Sequence, residues 1–231
     1  MIHPLGDAAL AVEFGQSIDP EINDQVRTLH EDLQANPLLG VVETVPTYRS
    51  LVVYYRPDLI SWEGIHRALC QRLQGMAHTS PAPGGTVEIP VLYGGGEGPD
   101  LPFVAQHAGL EEEDVIRIHS QGIYRVYMLG FSPGFPYLGG MDSRIAAPRL
   151  ETPRLQIPAG SVGIAGEQTG VYPLASPGGW RLIGRTPLRL YDPQRPHPIL
   201  LRAGCSLRFR PVTRGEFEQI AQEEGHDESS C

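Results

Sequence analysis

Residues 168–187 read QTGVYPLASPGGWRLIGRTP. Pro-Gly-Gly stands between Ser176 and Trp180, with Tyr172-Pro173 before it and Arg185-Thr186-Pro187 after it. Glycine admits positive φ and proline locks φ while withdrawing a donor, so a stretch this dense in both holds its few side chains in set positions. The flanking runs TGVYPL and WRLIG have the branched and aromatic character of short strands. Further out, GIYRVYML, SVGIAG, LRLYD, PILL and SLRF repeat that character. Between Phe131 and Gly184 there are ten glycines and seven prolines in 54 residues, which leaves no room for a long helix. The pattern predicts a closed or nearly closed β-barrel over residues 86–215.

Upstream of the barrel grammar the periodicity changes. TVEIPVLY reads as an opening strand, followed by one short helix from Asp100 to Gly109 and another over about Glu111–Ser120. Within residues 1–80, ALAVEF reads as a strand, and Asp19-Pro20 supplies an N-cap and an N1 proline. Ile22, Val26, Leu29 and Leu33 then recur at helical spacing. Two β-rich runs, Val41–Val45 and Leu51–Tyr55, precede a helix capped by Ser61 that carries Trp62, Ile65, Leu69 and Leu73. The order β-α-β-β-α predicts a small α/β domain with both helices on one sheet face. The Pro/Gly segment Thr79–Gly85 is the expected linker. Thr213 and Glu216 form a capping box for a last helix through about Gln222, within an acidic tail over residues 216–231. The fold class is α+β, a small N-terminal α/β domain followed by a barrel.

Composition excludes several function classes. The chain has 231 residues, 41% hydrophobic and 19% charged, with a formal charge of −9. Six acidic residues and no basic ones lie in Glu216–Cys231, and nothing favours a nucleic-acid partner. All 18 basic residues are arginine, so this polypeptide has no Walker A lysine, no Schiff-base lysine and no biotin- or lipoyl-carrying lysine. Cys70, Cys205 and Cys231 are widely spaced and read as free thiols. The eight histidines show no HExxH or paired-ligand spacing, so no metal is expected. No apolar run reaches membrane length and MIHPLGDAAL lacks the features of a signal peptide; the expectation is a cytoplasmic protein that does not engage a membrane.

The candidate site residues fall in three segments. In GFSPGFPYLGG, residues 130–140, prolines and glycines stiffen a loop that presents Phe135 and Tyr137 to a pocket or packs them onto the barrel. In PRLETPRLQIPAGS, Arg149 and Arg154 each follow a proline and carry guanidinium forks suited to an anion, beside a Pro158–Ser161 turn whose N–H groups and Ser161 hydroxyl add donors. In the opening stretch, Gln168 offers a donor and an acceptor, Tyr172 and Ser176 hydroxyls, and Trp180 a flat apolar wall. Such groups suit a small amide or lactam ring. His119, just before GIYRVYML, is a candidate acid or base.

GPDL (98–101), VAQHAGL (104–110), VYMLGFSPGFPYLGG (126–140), PAGSVGIAG (158–166) and the opening stretch, in this order, resemble the B component of the bacterial ATP-dependent 5-oxoprolinase. That family is also called allophanate hydrolase subunit 1 and includes the Kip-type inhibitor of a sporulation histidine kinase. The resemblance covers nearly the whole chain. It implies a cyclophilin-like barrel and a complex with two further 5-oxoprolinase components, the C component of allophanate hydrolase subunit 2 type and the A component of LamB/YcsF type. Together the three components convert 5-oxo-L-proline to L-glutamate at the expense of ATP, the nucleotide site lying elsewhere than on this lysine-free chain alone. Two positions depart from the family pattern: Leu92 stands where a cysteine is usual, and Cys205 where an aspartate follows glycine. Two other readings remain open, a regulator of a histidine kinase and half of a biotin-dependent carboxyltransferase acting on urea or a similar amide.

Overall fold

The computed structural model describes residues 1–76 and 84–226, arranged as two compact units, Met1–Pro83 and Gly84–Cys231. The linker expected over Thr79–Gly85 lies, except for Gly84 and Gly85, outside the described residues, as do the last residues of the acidic tail.

The first unit comprises β1 (Ile2–Pro4), β2 (Ala9–Glu13), α1 (Pro20–Ala35), β3 (Val41–Pro46), β4 (Ser50–Tyr55) and α2 (Trp62–Gly75). Its sheet is antiparallel in the order β1-β2-β4-β3. Asp19 caps α1, its carboxylate accepting from the Glu21 and Ile22 N–H groups with Pro20 at the first turn. Ser61 caps α2 by accepting from Gly64. Leu10, Val12, Leu51 and Val53 alternate onto one sheet face and meet Val26, Leu29, Ile65 and Leu69 of the helices, all buried. The β-α-β-β-α order is present with one addition: β1, too short and too poor in pattern to stand out alone, pairs with β2 through Ile2↔Val12.

The second unit runs β5 (Thr86–Tyr93), α3 (Leu101–Ala108), α4 (Glu112–Gln121), β6 (Tyr124–Leu129), β7 (Pro136–Gly139), a 3-10 turn (Ser143–Ile145), β8 (Arg154–Ile157), β9 (Ser161–Ala165), β10 (Gln168–Val171), β11 (Ser176–Gly178), β12 (Arg181–Arg185), β13 (Ser206–Pro211) and α5 (Arg214–His226). A mixed seven-stranded sheet, in the order β10-β9-β12-β5-β13-β6-β7, curls until its end strands β10 and β7 lie side by side. The result is a nearly closed barrel with α3 and α4 packed against it. Gly109, at φ 68°, ends α3 in the left-handed conformation that its glycine allows. At Gly184 a Cβ would stand 2.7 Å from a Val91 methyl and 2.8 Å from the Leu92 carbonyl oxygen, so the absent side chain is what lets β12 lie close on β5 at the point where its register with β9 shifts.

Three expectations change. LRLYD and PILL form no strands and meet only at an isolated Tyr191↔Ile199 bridge, because Pro193, Pro196 and Pro198 remove ladder donors from the segment. The stiff loop of residues 130–140 is half strand, since Pro136–Gly139 is β7. Helix α5 does not stop at Gln222 but continues to His226, with Glu224 accepting from Arg195 at 2.7 Å. The capping box at its start is present, Thr213 N–H donating to Glu216 at 2.8 Å and Glu216 N–H to Thr213 Oγ1 at 3.3 Å.

Candidate functional site

The second unit holds a small aromatic cluster separate from the main barrel core: Phe135, Ile157, Tyr172 and Leu182 are buried there, with Tyr137 and Trp180 packed against them. Phe135 is its centre. Its ring stands edge-on to Tyr172 and Trp180 at 5.7 Å each and to Tyr137 at 5.4 Å. The backbone makes this possible at Gly170, where a Cβ would sit 3.0 Å from the Trp180 indole and 3.3 Å from the Phe135 ring. On β10 the alternation turns Gly170 to this side and buries Thr169 on the other.

Around that cluster opens a pocket of about 450 Å³ lined by the rings of Phe131, Phe135, Tyr137, Tyr172 and Trp180, by Gln168 and Arg149, and by Pro153, Pro177, Gly178 and Gly179. A volume of this size, mostly apolar and with few polar groups, is that of a small-molecule site. The Ser-Pro-Gly-Gly-Trp corner supplies one wall, pinned by the Leu150 N–H donating to the Gly179 carbonyl at 2.7 Å and by β11 pairing with β8. Gly178 is required there, because a Cβ would fall 2.5 Å from the Tyr172 hydroxyl and 2.7 Å from the Ile157 side chain.

Arg149 is the only charged residue of the lining. Among the described residues its guanidinium has no hydrogen-bond or ion-pair partner, and the side chain is exposed at the mouth. Burial pushes the Tyr172 phenol above its ordinary range, opposed by the Trp180 backbone N–H and by the charges of Arg149 and Arg154. It therefore stays protonated at neutral pH and acts as a neutral hydrogen-bonding group in an apolar wall. The arrangement offers flat faces for a small ring, a cation for a carboxylate, and an amide and a phenol for polar ring atoms.

The structure thus brings Phe135, Tyr137, Arg149, Gln168, Tyr172 and Trp180 together. It does not bring the other candidates with them. Arg154 does hold an anion, but that anion is Asp100: Nη2 donates to Oδ1 at 3.0 Å and Nη1 lies 2.9 Å from Oδ2. Ser161 is 2% exposed at the start of β9 and lines no part of the pocket. The Gly160 N–H is spent on the Tyr172 carbonyl and the Ser161 N–H on the Pro158 carbonyl, so no run of successive N–H groups is left there to form an anion nest. Ser176 lies outside the lining on β11, its Oγ buried without a hydrogen-bond partner among the described residues.

His119 is also corrected. It is fully buried in the main core, stacked on Phe209 at 4.4 Å, and burial holds its imidazole down at about 3. The tautomer follows from its neighbours. Thr169 donates its hydroxyl proton to the Gly163 carbonyl at 3.1 Å, so it accepts from Nε2–H at 2.8 Å, and Nδ1 accepts from the Tyr93 hydroxyl at 2.7 Å. Every polar atom of the ring is satisfied by protein and none reaches the pocket, so the residue is a core strut between α4, β5 and β10. Phe131, not singled out in the sequence, stands at the pocket mouth with φ 65°, 70% exposed and edge-on to Phe135 at 5.5 Å. Its place two residues before a Pro-Gly turn is the signal that could have found it. Asp100 reads in sequence as a helix start, and nothing local marks its carboxylate for the barrel.

The family model described as carboxyltransferase domain, subdomain C and D, matches residues 1–201. A Bacillus subtilis (strain 168) protein that carries the name of the 5-oxoprolinase B component is 46% identical, over 96% of this chain and 97% of its own. Among solved structures, TTHA0988 superposes with a TM-score of 0.80 at 39% identity, over 92% of this chain; this chain spans 40% of that one's length. The K. lactis urea amidolyase superposes with a TM-score of 0.78 over 96% of this chain and 15% of its own, and at 22% identity that likeness shows a shared fold alone.

Proposed function

Since this chain belongs to the carboxyltransferase subdomain C and D family that includes the 5-oxoprolinase B component, we propose that it is the lactam-binding member of an ATP-dependent 5-oxoprolinase complex. The observation that carries the reading is the aromatic pocket whose only charged lining residue, Arg149, has no partner of its own among the described residues. 5-Oxo-L-proline is a flat five-membered lactam with one carboxylate. Phe135 and Trp180 offer the ring apolar surface, Arg149 pairs the carboxylate, and the Gln168 carboxamide and Tyr172 phenol face the amide edge.

ATP does not fit this pocket. A nucleotide triphosphate with its metal asks for several cations or clustered backbone N–H groups and for carboxylates on the metal. The lining offers one guanidinium, and the described residues contain no His/Cys/Asp/Glu group able to hold a metal ion. The nucleotide is therefore assigned to a partner, the LamB/YcsF-type A component or the C component, in a cytoplasmic complex. This chain's share of the reaction is to bind the lactam, exclude water from one face and place its amide carbon toward a partner.

The test is co-expression with the A and C components and an assay of ATP-dependent glutamate release from 5-oxo-L-proline. Arg149→Ala should cut activity of the assembled complex by about tenfold or more, on the order of 1.4 kcal/mol, with an unchanged melting temperature because the side chain is exposed. Full activity in that variant would refute the site. Carboxylation of urea by the complex, with a biotinylated carrier supplied, would replace the reaction assigned here.

A further inference from the structure

Asp100 sits at the N-cap position of α3 yet makes no capping hydrogen bond with its side chain. A capping carboxylate is worth about 1 kcal/mol to a helix, so the group gives up a local gain. It is buried, and both of its oxygens point away from the helix: Oδ2 accepts from the Leu182 N–H at 2.7 Å and Oδ1 from Arg154 at 3.0 Å, while Arg181 Nη1 lies farther off, 3.9 Å from Oδ1. The Asp100 N–H in turn donates to the Leu182 carbonyl at 2.9 Å. From the other side, Arg154 Nη1 donates to the Trp180 carbonyl at 3.4 Å. One ion pair therefore holds the backbone on both sides of Arg181, beginning at Trp180, whose indole is a pocket wall.

Arg154 reaches further wall residues through its own main chain. It follows Pro153, which lines the pocket, and it pairs across the β8–β11 ribbon with Gly178, which also lines it. Three wall segments, at Pro153, Gly178 and Trp180, are thus referred through one guanidinium to a carboxylate at the N-cap of α3, a helix packed on the barrel. Neither partner lines the pocket itself.

We propose that Asp100 and Arg154 are positioning residues for the lactam pocket, a buried ion pair that sets the Trp180 wall against the ligand without touching it. This rests on the reading of the pocket as the lactam site. A purely structural ion pair would stabilise the unit and leave the affinity of correctly folded protein unchanged. A positioning pair shifts the wall, and displacement of a site wall by even a fraction of an ångström weakens ligand binding.

The experiment uses two readouts. In a Trp62→Phe background Trp180 is the remaining tryptophan of the chain, so its emission maximum and acrylamide quenching report its wall directly. In the complex with the A and C components, KM for 5-oxo-L-proline and kcat are measured. Asp100→Asn, which can still accept from Leu182 but removes the counter-charge of Arg154 and of the nearby Arg181, should red-shift Trp180, increase its quenching and raise KM about tenfold with kcat within about twofold. Arg154→Lys keeps the charge and loses the fork, and should lie between wild type and Asp100→Asn. Arg149→Ala is run alongside. If Arg149→Ala raises KM while either Trp180 emission or KM stays at the wild-type value in both ion-pair variants, the pair is structural and the inference is overturned on its own. If Arg149→Ala also leaves KM unchanged, the pocket is not the lactam site and both readings fall.

Discussion

The buried imidazole of His119 makes the second unit acid-sensitive in a window that can be stated in advance. The groups around it are uncharged: the Tyr93 and Thr169 hydroxyls, the Tyr124 ring and the Phe209 ring. Among the described residues none beside the ring carries a negative charge to offset a positive one, and burial holds the imidazole at about 3 against an ordinary value of 6.5. Below the ordinary value the unfolded chain takes up a proton that the folded chain refuses, so this residue's contribution is complete above about pH 6.5 and is lost as pH falls toward 3. Between pH 7 and pH 5 the difference amounts to about 2 kcal/mol, taking roughly 1.36 kcal/mol for each pH unit below the unfolded value. His119→Gln removes the titrating group while keeping an amide near the Thr169 hydroxyl. It should cost stability at pH 7, yet its profile between pH 7 and pH 5 should be flatter than the wild type's by about 2 kcal/mol. The assay is urea unfolding followed by Trp180 emission in the Trp62→Phe background at several pH values. Parallel profiles for the two proteins, or an NMR titration of the His119 ring in the folded protein near its ordinary value, would refute the reasoning.

Gly178→Ala places a methyl group 2.5 Å from the Tyr172 hydroxyl, so it should cost about 1–3 kcal/mol in chemical unfolding and weaken 5-oxo-L-proline binding in a titration of the complex. Asp19→Ala removes the acceptor for two N–H groups at the start of α1 and should lower the stability of the first unit by about 1 kcal/mol, read by thermal melting, with no effect on the complex's KM. The purified chain alone should release no glutamate from 5-oxo-L-proline and ATP; turnover by the single chain in a coupled assay would overturn the assignment of the nucleotide to a partner.

Much of the architecture was legible locally. Asp19-Pro20, Ser61 and Gly109 mark helix ends with chemistry confined to a turn, and the structure ends its helices there. The glycine and proline density of residues 131–184 excluded a long helix, and only a 3-10 turn occurs in that stretch. The aromatic and polar set of the pocket was also visible, because Phe135, Tyr137, Gln168, Tyr172 and Trp180 lie on segments whose punctuation announced fixed turns.

What only the tertiary structure decided is which of two like residues is engaged. Arg149 and Arg154 each follow a proline and are equivalent as sequence, yet among the described residues one stands without a partner at the pocket mouth and the other is clamped on Asp100, 54 positions away. His119 likewise owes its neutrality to burial, in a core where distant segments supply its neighbours, Thr169, 50 positions away, and the Phe209 ring. Capping and strand propensity are written within a few residues because they concern a segment's own backbone N–H and C=O groups. Ion pairing and burial depend on which distant segments the closing barrel brings within a few ångströms, and no local pattern of residues encodes that.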